Sequence, residues 1–328
     1  MEDQIICWVL VDKKIGSNNQ AIALAEGIGI NYKQIKLSYN CLAKLPGVLL
    51  PKGFIQVKSP NIEHLLLEDK PDIVISASRK SALISASIRS KNPNIKAIHI
   101  LKPDISFANF DLLILPQHDK NIKNKYNNIL KIIGALNNAK TKIHQNSELL
   151  SQKYSNFIKE PYAVVLIGGN TKKFTFTKET AKEFYELLQN RAENNNIKYF
   201  ITFSRRTPQV LKDALYSLKN HGHEIYDPLL TELNPYPFII SKAKFVISTC
   251  DSISMLSEIA SIGAPLYIFI PESFNSQKHL TFVYQLADLG IAKILDKTTL
   301  FLQEYNYTQL NETRKAAEYV LSSILSVK

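Results

Sequence analysis

Cysteine is scarce in this chain: Cys7, Cys41 and Cys250 are the only three in 328 residues, and they stand far apart. Such spacing excludes paired-cysteine metal sites and fits a reducing, cytoplasmic setting. Long apolar runs are missing too. No stretch approaches the roughly 20 residues that a membrane-spanning helix needs, and the mean hydropathy is −0.09. The opening Met1-Glu2-Asp3-Gln4 lacks the basic start of a secretion signal. The apolar run 5–11 that follows stops at Asp12-Lys13-Lys14, so we expect a first strand there. His64, His99, His144, His221, His223 and His279 show no metal-ligand spacing, and no metal is expected. Neither a Walker loop nor a G-x-G-x-x-G fingerprint occurs, and there is no internal repeat.

What is present is a chain with 45% hydrophobic residues and a formal charge of +11. That much apolar material over this length points to two domains. The basic balance favours anionic partners such as phosphates or an acidic membrane face. A plainer reading gives the charge no specific role in a Lys-, Asn- and Ile-rich chain. The basic residues form no nucleic-acid stripe, and no nucleic acid is expected as a partner.

Short β-type runs alternate with helical patterns along the whole length, as in parallel βαβ units. Strands are expected at 5–11, 33–37, 71–76, 96–101 and 112–115. A polar stretch near 137–159 then separates these from a restart at Tyr162, giving domains 1–145 and 146–328. In the second half, three strand ends carry the chemistry. Strand 245–249 runs through Thr249 into Asp251 and Ser252, and a helix follows at once. Its free N–H groups and positive dipole end suit a phosphate. Asp251 and Glu258 are seven residues apart, on one helix face and about 10 Å apart along its axis; that suits a phosphate at the tip and ribose hydroxyls lower down. The plainer reading makes Asp251 a cap and Glu258 a solvated residue. Strand 198–203 ends in Ser204-Arg205-Arg206, and arginine suits bidentate phosphate recognition. The run 162–167 ends in Gly168-Gly169-Asn170, where paired glycines let backbone amides approach a phosphate. All three ends fall on the ligand-binding edge of one sheet.

The first half offers weaker candidates. Asp12, Gly16, Ser17 and Gln20 lie on the first strand-loop-helix, and Ser78 and Arg79 end a later strand. His118 and Asp119 follow Pro116 on the sheet rim, where a general base is conceivable, although adjacent side chains point apart. Residues 39–59 interleave apolar residues with Lys44, Lys52 and Lys58; the segment suits an anionic membrane surface or is ordinary core and loop.

Taken together, Trp8-Val9-Leu10-Val11-Asp12, Gly16-Ser17-Asn18-Asn19-Gln20, Pro116-Gln117-His118-Asp119, Leu166-Ile167-Gly168-Gly169, Ser204-Arg205-Arg206-Thr207-Pro208, Asn234-Pro235-Tyr236 and the run from Asp251 to Glu258 resemble the elongated-mitochondria (mitochondrial fission ELM) family over nearly the whole chain. One departure is Ser78, where the pattern has a glycine before Arg79. The resemblance implies a glycosyltransferase-B-like architecture: two Rossmann-like α/β domains facing across a cleft, with a C-terminal helix packing back toward the first. Plant members are tied to recruiting a dynamin-like protein to the mitochondrial surface, and bacterial members have carried a sugar-nucleotide epimerase label. The second half also resembles the donor domain of glycosyltransferase-B enzymes, in which a glutamate matching Glu258 holds ribose. The expectation is therefore a nucleotide-sugar ligand, used as substrate with no separate cofactor. Gly168, Gly169, Asn170, Ser204, Arg205, Arg206, Thr249, Asp251, Ser252 and Glu258 would sit on the nucleotide side. Gly16, Ser17, Gln20, Ser78 and Arg79 would lie on the acceptor side, with His118, Asp119 or Asp12 as base. The reaction would be transfer to an envelope or lipid acceptor at the inner face of a membrane. The alternatives are a sugar-nucleotide epimerase, or a membrane adaptor that binds a protein partner.

Overall fold

The computed structural model describes residues 5–119, 126–229 and 234–325. They fall into two compact units, Met1–Asn138 with Asn311–Lys328, and Ala139–Leu310.

The first unit contains β1 (Cys7–Val11), α1 (Ile15–Ile28), β2 (Tyr32–Lys36), β3 (Ser38–Tyr39), β4 (Val57–Ser59), α2 (Ile62–Glu68), β5 (Ile73–Ser76), α3 (Arg79–Lys91), β6 (Lys96–Ile100), β7 (Leu112–Pro116) and β8 (Ile129–Ile132). Six strands form a parallel sheet in the order β2-β1-β5-β6-β7-β8, and β3 and β4 pair separately as a small antiparallel ladder. β1 is apolar throughout because both faces of the sheet are covered. Side chains alternate between faces. Cys7, Val9 and Val11 pack with Leu24 and Ala25 of α1, whereas Trp8 and Leu10 pack with Ile84 and Ile88 of α3.

The helix Glu312–Val320 completes the first face through Ala316, Ala317 and Val320. It sits close on α1 at Gly27, where an added Cβ would stand 3.1 Å from the Thr313 methyl. Glu312 accepts the Ile133 N–H at 2.8 Å, and the Thr313 hydroxyl exchanges bonds with the Asn137 backbone. The sequence division placed this helix with residues 146–328. Its packing counts it with the first unit, because the apolar stripe of a short helix is buried only against α1 and the sheet.

The second unit contains α4 (Ala139–Lys142), α5 (Ser147–Lys153), β9 (Tyr162–Ile167), α6 (Lys178–Asn195), β10 (Lys198–Phe203), α7 (Gln209–Tyr216), β11 (Glu224–Tyr226), α8 (Tyr236–Ser241), β12 (Phe245–Thr249), α9 (Ile253–Ile262), β13 (Leu266–Phe269), α10 (Gln277–Asp288) and β14 (Ala292–Leu295). Its parallel sheet runs β11-β10-β9-β12-β13-β14. The strands of the central pair, β9 and β12, are fully buried. A connector returns along this unit, held by tyrosine hydroxyls. Tyr305 bonds both the amide and the carbonyl of Leu266, and Tyr307 donates toward the carbonyls of Ile259 and Ala264. Among the described residues no helix is long and apolar enough to cross a membrane.

Candidate functional site

In a doubly wound sheet, ligands bind where strand order reverses, beyond the carboxyl ends of the strands. In the second unit this point lies between β9 and β12. The loop after β12 places Asp251 there, its carboxylate wholly buried. Its Oδ2 accepts the Gly169 N–H at 2.7 Å, and its Oδ1 accepts the Thr249 hydroxyl at 2.7 Å. Thr249 Oγ1 in turn accepts the Gly168 N–H at 2.8 Å. Charge balance comes from Arg206, whose Nη2 stands 3.3 Å from Asp251 Oδ2.

These contacts explain the glycine pair. A Cβ on Gly168 would fall 2.2 Å from the Asp251 carboxylate, and one on Gly169 would fall 2.1 Å from the Arg206 backbone oxygen. Only glycine admits such approach. The pair therefore serves close packing of the loops. Both amides are engaged by Thr249 and Asp251, where sequence reasoning aimed them at a phosphate. Ser204 is likewise turned inward, donating to the Gly168 carbonyl at 2.6 Å.

Arg206 reaches over this buried layer. Nη1 donates to the Asn170 carbonyl at 3.1 Å, and the side chain stays 48% exposed. Two of the five N–H donors of a guanidinium are thus used to aim it, and three remain. Arg205 beside it is exposed and makes no hydrogen bond or ion pair among the described residues. Ser252 occupies the N-cap of α9 without any side-chain cap bond. The first-turn N–H groups of α9 carry their partial positive charge unopposed by a capping oxygen.

Asn170, Thr171, Lys172, Arg206, Asp251, Ser252, Ile253, Ser254 and His279 line one open hollow of about 630 Å³. Of the residues expected from sequence, Asn170, Arg206, Asp251 and Ser252 meet here. Gly168, Gly169, Ser204 and Thr249 form the floor beneath, and Arg205 lies outside. His279 was not anticipated. It is the third residue of α10, which follows β13 and so starts at the same sheet edge; that position was the signal available. Its Nδ1 is 2.7 Å from the Ser276 hydroxyl. Burial pushes its pKa below the ordinary value; Asp251 opposes this, and Lys278 and Arg206 reinforce it.

Glu258 does not line the hollow. It lies further along α9, in the layer where α4, α8 and α9 pack. Burial raises its carboxyl to about 7, against the opposing influence of the Tyr236 hydroxyl and Lys142. The Tyr236 hydroxyl is itself buried, and its pKa is driven well above the usual phenol range by burial and then by Glu258.

The first unit has a second cluster at its own reversal point, between β1 and β5. Ser78 donates to Asp12 Oδ2 at 2.6 Å, and the Lys14 amide donates to Oδ1 at 2.7 Å. Ser78 also caps α3 in a reciprocal pair with Ser81. The Tyr39 hydroxyl, also missed from sequence, is buried beside Asp12 and Ser78 and titrates far above its ordinary range, chiefly through burial. Arg79 points instead to Asp104 at 3.5 Å. Gly16 and Ser17 lie in the first turn of α1, and Gln20 is buried one turn on, its Nε2 3.4 Å from the Gly16 carbonyl. At the end of β7, Pro116–Asp119 forms a turn in which His118 is buried and Asp119 partly exposed. Among the described residues no group of three or more His, Cys, Asp or Glu could hold a metal ion.

Two six-stranded Rossmann-like sheets give the chain a glycosyltransferase-B-like fold. UDP-GlcNAc 2-epimerase from Methanocaldococcus jannaschii shares this fold, with a TM-score of 0.62 at 14% identity over 99% of this chain and 100% of that one. The same enzyme in complex with UDP-GlcNAc and UDP aligns with a TM-score of 0.56 at 16% identity over 99% of this chain and 100% of that one. The chain belongs to the mitochondrial fission ELM1 family, whose model matches residues 15–324. An uncharacterized protein of Rickettsia prowazekii is 39% identical over 344 residues, covering 95% of this chain and 97% of that protein. The mitochondrial fission protein ELM1 of Arabidopsis thaliana is 23% identical over 288 residues, covering 81% of this chain and 66% of that protein.

Proposed function

We propose that the second unit binds a nucleotide-diphosphate sugar by its diphosphate. The observation that carries this reading is the hollow itself. A guanidinium aimed from behind by a buried carboxylate, an uncapped helix N-terminus, Lys172 and a histidine all border one open space. Buried Asp251 is saturated by protein donors, so it orients Arg206 without presenting a bare carboxylate to the ligand. The nucleoside would follow α9 toward Glu258, to which we assign the ribose hydroxyls. The UDP-sugar complex of the Methanocaldococcus enzyme agrees with this ligand class.

The reaction class we favour is sugar transfer to a hydroxyl acceptor. The bond between the anomeric carbon and the distal phosphate oxygen breaks, the acceptor oxygen bonds to that carbon, and the nucleoside diphosphate leaves. The acceptor proton needs a base. Among Asp12, His118 and Asp119 we assign Asp12, whose carboxylate is partly exposed and oriented by Ser78. Of the acceptor-side set, Gly16 and Ser17 stay at the surface beside Asp12, whereas Gln20 and Ser78 are buried and Arg79 is held by Asp104.

Calorimetry with UDP and other nucleoside diphosphates tests the binding step. We expect binding that weakens at least about tenfold in Arg206→Ala, the loss of a charge-assisted contact. Failure of every nucleoside diphosphate to bind the wild-type chain would remove the reading and leave the adaptor alternative. Product analysis with bound nucleotide sugars then separates transfer from epimerisation.

A further inference from the structure

Between Glu26 and Glu63 the sequence contains no aspartate or glutamate, but it contains Lys33, Lys36, Lys44, Lys52 and Lys58. Residues 41–58 of this stretch fold as a flap over the start of α3, built on two short turns, Cys41–Lys44 and Gly47–Leu49. The flap is pinned at several points. Asn40 Nδ2 donates to the Ile55 carbonyl at 2.6 Å, the Gly47 amide donates to Asp104 at 2.9 Å, and the Gly53 amide donates to the Ser87 hydroxyl at 2.8 Å. Ala43, Gly47 and Gln56 are buried beneath it.

The outward face is the opposite of what burial alone would select. Leu45, Val48, Leu49 and Ile55 are 45%, 68%, 69% and 60% exposed. Single exposed apolar residues are ordinary, but several large ones within one short pinned segment mark a contact surface. Lys44, Lys52 and Lys58 are exposed within the same segment. Asp104, which binds the flap, is turned inward and engaged by the Gly47 amide and Arg79, and Glu63 beside the flap is paired with Lys91. The segment itself is therefore apolar and carries only cationic charge.

That chemistry selects the occupant. A second copy of this chain, docked face to face, would bring lysines against lysines with no acid in the segment to pair them. A bilayer with anionic headgroups meets both requirements: acyl chains accept the apolar side chains, and lipid phosphates accept the lysines. We propose that this flap docks the protein peripherally on an anionic lipid bilayer, with Leu45, Val48, Leu49 and Ile55 entering the headgroup–acyl boundary. The inference stands apart from the nucleotide site, and either can fail without the other.

Vesicle flotation of the full chain tests it. We expect co-flotation with vesicles of phosphatidylglycerol and phosphatidylcholine but not with phosphatidylcholine alone, falling steeply between about 0.05 and 0.5 M salt as charges are screened. Val48→Asp/Leu49→Asp should lower the partition coefficient by about tenfold or more, since each buried apolar side chain contributes to interfacial binding. Lys44→Gln/Lys52→Gln/Lys58→Gln should lower it several-fold, whereas the equally charge-reducing control Lys182→Gln/Lys219→Gln/Lys297→Gln should not. The lysine series decides the matter if the aspartate variant fails to fold. Three outcomes would overturn the proposal. One is no flotation, or equal flotation on both vesicle types. Another is equal loss in the flap and control lysine variants. The third is a light-scattering dimer that Val48→Asp/Leu49→Asp dissolves without any vesicle binding.

Discussion

The two units solve the same topological problem with different strand orders and different electrostatics. Counting strands in order of appearance and setting the β3–β4 ladder aside, the first sheet reads 2-1-3-4-5-6 and the second 3-2-1-4-5-6. Each places an aspartate at the point of reversal. In the second unit Asp251 is sealed in, neutralised by Arg206, and topped by an uncapped helix end, so the surface it supports is cationic. In the first unit Asp12 stays partly exposed, with Ser78 and the buried Tyr39 as neighbours and no arginine on it. A strand-end aspartate can thus be scaffold or surface. Which one it becomes depends on whether the loops above it close.

Paired substitutions in the two loops test that contrast. Gly169→Ala forces a methyl onto the Arg206 backbone, which cannot rotate away. We expect at least about 3 kcal/mol of lost stability, or failure of the second unit to fold. Gly16→Ala meets nothing within 4 Å in α1 and should stabilise by about 0.5–1 kcal/mol, through higher helix propensity. Chemical denaturation of both variants checks the pair. Asp251→Asn would set an amide among the donors from Gly169, Thr249 and Arg206, costing about 2–4 kcal/mol, while Asp12→Asn, partly solvated, should cost under about 1 kcal/mol.

Glu258 sharpens the electrostatic side. Folded Glu258 keeps its proton up to about pH 7, whereas the unfolded chain releases it near the ordinary value of 4.5. The folded state therefore binds more protons in that window, and wild-type stability should fall as pH rises through it. Glu258→Gln should remove this slope. It should raise the melting temperature by several degrees at pH 8 and change it little at pH 5. The smallest expected effect concerns His279, which burial keeps largely neutral near pH 7. A bound diphosphate would favour its charged form, so UDP affinity should rise a few-fold as pH falls below the ordinary histidine range. His279→Gln should flatten that rise in calorimetric titrations.

Much of the architecture was open to reading in the sequence because parallel strands covered on both faces must be short apolar runs, and Cys7–Val11, Tyr162–Ile167 and Phe245–Thr249 are such runs. The strand-end motifs were legible for the same reason: Gly168-Gly169, Ser204-Arg205-Arg206 and Thr249-Cys250-Asp251-Ser252 break those runs abruptly. Sequence could not tell which side of each motif meets solvent. Arg205 and Arg206 are chemically alike, but only Arg206 has Asp251 and the Asn170 carbonyl within reach. His279 and Tyr39 were hidden because their roles come from neighbours distant in the chain.

By itself the sequence determined the alternation of strand and helix and which strand ends carry polar groups, because both follow from local periodicity and chain-breaking residues; the two Rossmann-like sheets were implied by the family resemblance. Tertiary structure alone decided that Gln20 and Ser78 are buried, that the glycine amides are spent on Asp251 and Thr249, and that Leu45, Val48, Leu49 and Ile55 face outward. These depend on contacts between residues far apart in the chain, and a one-dimensional pattern does not state which of two equally apolar faces will find a partner.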